Sequence, residues 1–167
     1  LYRICAKTLL FAGKFWLPLW MIIGIASIIL GNLVAITQTN FKRMLAYSSI
    51  AHMGYMIIAI VAFTKTGFTA ALFYLFVYVL TTILVFGVIL LIENNTQITL
   101  IEDLSGLNQA SPKLAFLLLL CLFSFAGIPP IIGFMGKLGM LHALIQSRHL
   151  VLATVAMVCW ISMAMTA

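Results

Sequence analysis

An apolar run extends from about Pro112 to Ile145, and it is interrupted near its middle. A straight helix of that length would measure roughly 50 Å. The hydrocarbon core of a bilayer is about 30 Å thick. The run therefore needs a steep tilt or a break, and the sequence supplies the break. Gly127 tolerates backbone angles closed to other residues. Pro129 and Pro130 remove two amide donors and clash with the preceding turn. Beyond them stands one charge, Lys137, with apolar or glycine neighbours on both sides. Irregular backbone at membrane depth persists only where protein buries it or water lines it. An ionisable residue at that depth points to function, and the combination suggests ion movement.

The remainder of the 167 residues fits a membrane setting. The chain is 65% hydrophobic and 7% charged, too few charges to solvate the surface of a soluble domain. The fold class expected is all-α: a polytopic transmembrane helix bundle with one discontinuous helix. The net charge of +6 comes from nine lysines and arginines against three acids. The basic residues are scattered, mostly at the ends of apolar runs, where they act as membrane-flank anchors. Nothing resembles the aromatic-basic surface that binds nucleic acid, so no nucleic-acid partner is expected. Cys5, Cys121 and Cys159 are far apart, and Cys-x-x-Cys spacing is absent. We therefore expect no metal site, no disulfide framework and no redox cofactor bound by this chain. The chain starts at Leu1 without a methionine and stops inside an apolar run at Ala167, so it reads as an internal fragment of a longer protein.

Five spans are expected in a single transmembrane domain covering 1–167. Leu1 to Phe15, with Arg3, Lys7 and Lys14, reads as the end of a preceding helix and a loop. Trp16, Pro18 and Trp20 mark an interface, where indole rings sit well. The first span is about 17–37; its Gly24, Ser27 and Gly31 permit close helix contact, and Asn32 needs a partner. The second is about 44–63. Its Ser48, His52 and Tyr55 share one helical face. That stripe is either a packing seam or a lining of proton-transfer groups, since histidine changes charge near neutral pH. Thr64 to Gly67 reads as a loop. The third span, about 68–92, carries Tyr74, Tyr78, Thr81 and Thr82. Their hydroxyls either hold water or bond to helix carbonyls. Glu93 to Ser111 is polar and contains all three acids, read as solvated charges rather than a catalytic pair; Ile98 to Leu107 suits a short amphipathic segment. The fourth span is 112–145, broken near 127–130. The fifth starts near Leu150 and is cut off.

Two half-helices meeting near mid-depth present carbonyls at one end and amides at the other, partial charges that stabilise ions. Lys137 falls in the second half. Gly133, Gly136 and Gly139 surround it and leave space either for close packing or for water. Burial disfavours the charged form of an amine, so a lysine here is a candidate proton switch. The plainer reading is a lysine snorkelling to the headgroups. His142 reads as interfacial.

Three stretches carry a resemblance. The first runs Gly31-Asn-Leu-Val-Ala-Ile-Thr-Gln-Thr-Asn-Phe-Lys-Arg-Met-Leu-Ala-Tyr-Ser-Ser-Ile-Ala-His-Met-Gly-Tyr55. The others are Glu102-Asp-Leu-Ser-Gly-Leu107 and Ala126-Gly-Ile-Pro-Pro-Ile-Ile-Gly-Phe-Met-Gly-Lys137. The chain resembles the antiporter-like, proton-pumping membrane subunits of respiratory complex I, in the branch called subunit N in bacteria and subunit 2 in mitochondria. That resemblance implies a fold of two inverted five-helix repeats, each with one broken helix, of which this chain is the later part of the second. It implies a non-redox subunit of NADH:quinone oxidoreductase, with NADH, flavin, iron-sulfur clusters and quinone belonging to the whole complex. Lys137 matches the family's lysine on its twelfth, broken helix. His52, Tyr78, Thr81 and Thr82 fall on helices flanking the family's polar axis. Implied partners are other membrane-arm subunits, the lipid bilayer and protons, in a bacterial plasma membrane or the mitochondrial inner membrane. Subunits of multisubunit cation/proton antiporters and membrane-bound hydrogenases share the Lys-Arg-x-Leu-Ala-Tyr pattern and remain an alternative, as does a passive scaffold bundle. The family's orientation puts Lys42 and Arg43 on the cytoplasm or matrix side; the positive-inside rule alone favours the reverse.

Overall fold

A computed structural model describes residues 13–62, 64–93, 100–129 and 131–166, with the backbone alone for 13–15, 93 and 162–166. Residues 1–12, with Arg3, Cys5 and Lys7, and also Pro130 and Ala167 lie outside the described residues. The described chain is a bundle of α-helices: α1 Gly13–Ile36, α2 Phe41–Val61, α3 Lys65–Glu93, α4 Leu107–Ala110, α5 Pro112–Ala126, α6 Ile132–Gln146 and α7 Leu150–Thr166. A 3-10 turn, Glu102–Leu104, precedes α4.

Side-chain caps move two helix starts away from the expected ones. Asn40 Oδ1 accepts from Arg43 N at 3.1 Å, so α2 begins at Phe41 rather than near Met44. Such a cap satisfies an amide that the first turn leaves without a helical partner. Thr64 Oγ1 accepts from Gly67 N at 2.9 Å, and the expected loop at Thr64 to Gly67 is largely the first turn of α3. The expected amphipathic segment up to Leu107 is corrected as well. Gly106 takes a left-handed conformation, φ +85°, and separates the 3-10 turn from α4. The segment is instead tied to the α1–α2 turn, where Ile101 N donates to Thr39 O at 3.0 Å and Asn40 pairs with Leu100.

The discontinuous helix is present. α5 ends at Gly127, whose φ of +73° suits glycine and terminates the helix. The amides of Gly127 and Ile128 both donate to Phe123 O, at 2.9 and 3.1 Å. Pro129 follows in the turn, and α6 resumes at Ile132. Each half has 15 residues, about 22 Å of helix, so the two together make one crossing. Three other segments are long and apolar enough to cross alone: Trp16–Ile36, Phe41–Val61 and Lys65–Ile92. Their outer faces carry apolar side chains such as Ile22, Leu72, Phe76 and Leu90, all exposed, as lipid contact requires. This is a multi-pass membrane segment.

The most extensive helix–helix packing among the described residues joins α1 to α2. A β-carbon at Gly31 would lie 2.6 Å from Ala51 N, and one at Gly54 would lie 2.8 Å from Gly24 O. The backbones themselves are in contact there. One apolar cluster gathers Ile28, Tyr55, Ile58, Tyr74, Met140 and Ala156; a second gathers Phe41, Leu45, Val85, Leu118 and Cys121. Asn32, His52, Thr81 and Lys137 are buried among them.

Candidate functional site

Lys137 lies in the second turn of α6. Helical side chains tilt toward the N-terminus of their helix, and here that direction leads back to the break. The residue is 2% exposed. Its Nζ donates to Phe125 O at 2.7 Å and to Ala126 O at 3.2 Å. These are the last carbonyls of α5, where the helix carries partial negative charge and four acceptors lack a helical donor. The amine also lies 5.6 Å from the Tyr55 ring centroid and 5.7 Å from that of Trp160, within reach of cation–π attraction. The snorkelling reading is thereby corrected: the side chain runs toward the break and away from the headgroups. His142, by contrast, is exposed.

The glycines around Lys137 serve close packing. A β-carbon at Gly136 would lie 2.6 Å from Tyr74 Cδ2, and one at Gly133 would collide with Ser124 O. α6 thus lies directly against α3 and folds back onto α5, and this holds the amine at the carbonyl end.

His52 is fully buried. Its Nδ1 and the Tyr74 hydroxyl are 2.6 Å apart. The rings of Tyr78 and Phe125 pack on it, with centroids at 5.1 and 5.3 Å. Its Nε2 makes no hydrogen bond to any described residue. Tyr74 and Tyr78 lie one turn apart on α3; the first makes the hydrogen bond to His52 and the second the ring contact. Phe125 links the two centres, since its carbonyl holds Lys137 and its ring covers His52.

The threonines are placed differently. Thr81 Oγ1 donates to Val77 O at 2.8 Å and lies 3.5 Å from Ser124 Oγ. Thr82 Oγ1 donates to Tyr78 O at 2.8 Å. Both hydroxyls bond to a carbonyl of their own helix. Tyr78 and Thr82 also line a cleft of about 280 Å³ with Ser48, Ser49 and Phe125. A second cleft of about 300 Å³, which also includes Phe125, is lined by Asn32, Gln38, Ser48 and Ala126 among others. Asn32 finds its partner across the bundle, with Nδ2 donating to Cys159 O at 3.3 Å. Tyr55 does the same, its hydroxyl donating to Ala156 O at 3.2 Å.

Among the described residues, no group of three His, Cys, Asp or Glu is placed to hold a metal ion. What the site offers is a buried amine against a helix end, near a buried imidazole.

Residues 1–163 match the membrane family described as NADH:quinone oxidoreductase/Mrp antiporter, transmembrane. The chain belongs to this family. It is 44% identical over 142 residues to NADH-quinone oxidoreductase subunit N of Nitrosomonas europaea, covering 84% of this chain and 30% of that protein. It is 44% identical over 157 residues to the subunit N of Laribacter hongkongensis, covering 93% and 32%. The chain thus spans about a third of the length of these relatives. Among solved structures, a chain of the Mrp complex from Dietzia sp. superposes with a TM-score of 0.88 at 29% identity, over 99% of this chain and 31% of that one. A chain of Thermus thermophilus respiratory complex I superposes with a TM-score of 0.82 at 27% identity, over 90% and 32%. The antiporter-like bundle implied by the resemblance is the fold these relatives share.

Proposed function

We propose that this chain is part of a proton-translocating membrane subunit of an NADH:quinone oxidoreductase, with Lys137 as the group that takes up and releases the proton. The observation that carries this reading is the Lys137 amine, buried and held on the last carbonyls of an interrupted helix. Burying an ammonium at membrane depth costs at least ~2.5 kcal/mol on insertion scales, and the carbonyl end of α5 offsets that cost. A buried amine held by main-chain acceptors can give up a proton and take it back, which suits it to exchange. His52, with its second ring nitrogen facing inward, is the next group on the proton's route; Tyr78, Thr81 and Thr82 flank that route. The break at Gly127 and Pro129 leaves the acceptors at the end of α5.

In this reading the pumping is coupled to quinone reduction carried out elsewhere in the complex. The partners are other membrane-arm subunits, and the chain itself binds no redox cofactor or metal. A bacterial plasma membrane is favoured by the bacterial relatives. A second reading, a subunit of a multisubunit cation/proton antiporter, is favoured by the superposition on the Mrp complex.

NADH-driven proton uptake into membrane vesicles tests the proposal, with subunit content checked by blot. Lys137→Ala in the full-length subunit is expected to assemble and to lose uptake. Unchanged uptake would refute the proton role. Uptake driven by a sodium gradient, with no NADH-dependent component, would transfer the chain to the antiporter reading. Stoichiometric iron or zinc in the purified polypeptide would overturn the cofactor-free assignment.

A further inference from the structure

α7 reaches the break through one side chain. Trp160 Nε1 donates to Ala126 O at 2.8 Å, the same carbonyl that accepts from Lys137 Nζ at 3.2 Å. Its ring lies 5.7 Å from the amine and packs on Phe134 of α6 with centroids 5.6 Å apart. A β-carbon at Gly127 would lie 2.9 Å from Trp160 Nε1 and 3.0 Å from Lys137 Cδ, so both donors close over the same glycine. Trp160 therefore touches the end of α5, the amine and the start of α6 together.

The two donors to Ala126 O differ chemically. An ammonium has three N–H donors. On losing a proton it becomes an amine with two donors and a lone pair, which the carbonyl oxygens repel. Its hold on the helix end weakens at the moment it gives up the proton. A buried carbonyl left without a donor is costly. The indole N–H does not titrate, and it donates in both states. We propose that Trp160 is a positioning residue that keeps the end of α5 satisfied while Lys137 releases its proton, so that the amine moves and the helix end does not. This rests on the reading of Lys137 as the exchanging group. Among the described residues, Tyr55 and His52 on α2 face the amine, Tyr74 on α3 packs against α6 at Gly136, and Cys159 on α7 lies near Tyr55. Tyr55 donates elsewhere, to Ala156 O, and His52 is paired with Tyr74.

The test is the pH profile of NADH-driven proton uptake by the full complex in vesicles. Trp160→Phe keeps a ring over the amine and removes the N–H. Deprotonating Lys137 then strands Ala126 O, so the protonated state is favoured and release is hindered. The alkaline limb of the profile should move to higher pH by about half to one unit, and plateau uptake should fall about threefold or more. NADH oxidation by detergent-solubilised complex should change less. If the phenylalanine variant does not assemble, Trp160→Gln and Trp160→Met form a second pair, both lacking the ring and only the first keeping an N–H donor. The glutamine profile should stay near wild type and the methionine profile should shift. Superimposable profiles for phenylalanine and wild type, or for glutamine and methionine, would overturn the inference. Normal uptake in Lys137→Ala would instead remove the reading beneath it, and the two failures are distinguishable.

Discussion

Lys137 and His52 are both buried, both touch Phe125, and are held in different ways. The lysine is bonded to main-chain carbonyls at 2.7 and 3.2 Å. The histidine sits between two unbroken helices, α2 and α3, with one side-chain partner and aromatic walls. The difference follows from where backbone acceptors are available. An intact helix spends its carbonyls on its own amides, and only its last turn leaves them unspent. The break places such a turn inside the bundle. A cation can be held there by main-chain carbonyls, whereas a residue facing intact helices must rely on side chains.

The strongest way to break that comparison is at the lysine. Lys137→Ala should leave assembly intact and reduce proton uptake by roughly tenfold or more, because it removes the group proposed to exchange the proton and relieves a burial cost. Lys137→Arg should impair uptake similarly, since guanidinium keeps its proton; normal pumping there would mean that a fixed positive charge suffices. Gly127→Ala attacks the acceptors instead. It forces a β-carbon into a left-handed conformation at a cost of about 1–2 kcal/mol and against Trp160 and Lys137. Subunit content and uptake should both fall, and full content with normal uptake would show that the helix end tolerates displacement. His52→Ala should slow uptake less than Lys137→Ala does, by about two- to fivefold; equal loss in the two, with assembly intact, would place the centres on the same footing. Thr82→Val should do least, shifting stability by about 0.5 kcal/mol, because its hydroxyl is bonded within its own helix. A larger loss of uptake would show that the cleft lining matters.

The break and its lysine were legible because glycine and proline carry backbone constraints in their identity, and because one charge in an apolar run is conspicuous. The direction of the lysine was less so: tilt along a helix allows a reach back to the break, but continued apolar sequence equally suits snorkelling. Its partners were not legible at all. Every residue has a carbonyl, and nothing in the letters for Phe125 and Ala126 marks theirs as the ones used. The pairing of His52 with Tyr74 was missed for a related reason. Helical spacing assigns residues to a face, but the register between α2 and α3 comes from packing between helices, which spacing along one helix does not carry. Trp160 gave no signal, since an aromatic residue in an apolar span reads as lipid contact. The early start of α2 was readable: Asn40 is a favoured cap residue directly before the helix.

The contact between α1 and α2 has a consequence at the level of the whole membrane. A device that builds a proton gradient must also insulate it, because any file of water across the bundle would short-circuit the voltage. At Gly31 and Gly54 the two backbones meet with no room for a methyl group, and a water molecule is about as large. That seam is therefore dielectric, a sealed wall beside the polar centre. Enlarging either glycine would pry the wall open, and its signature would be passive leakage with the redox machinery idle.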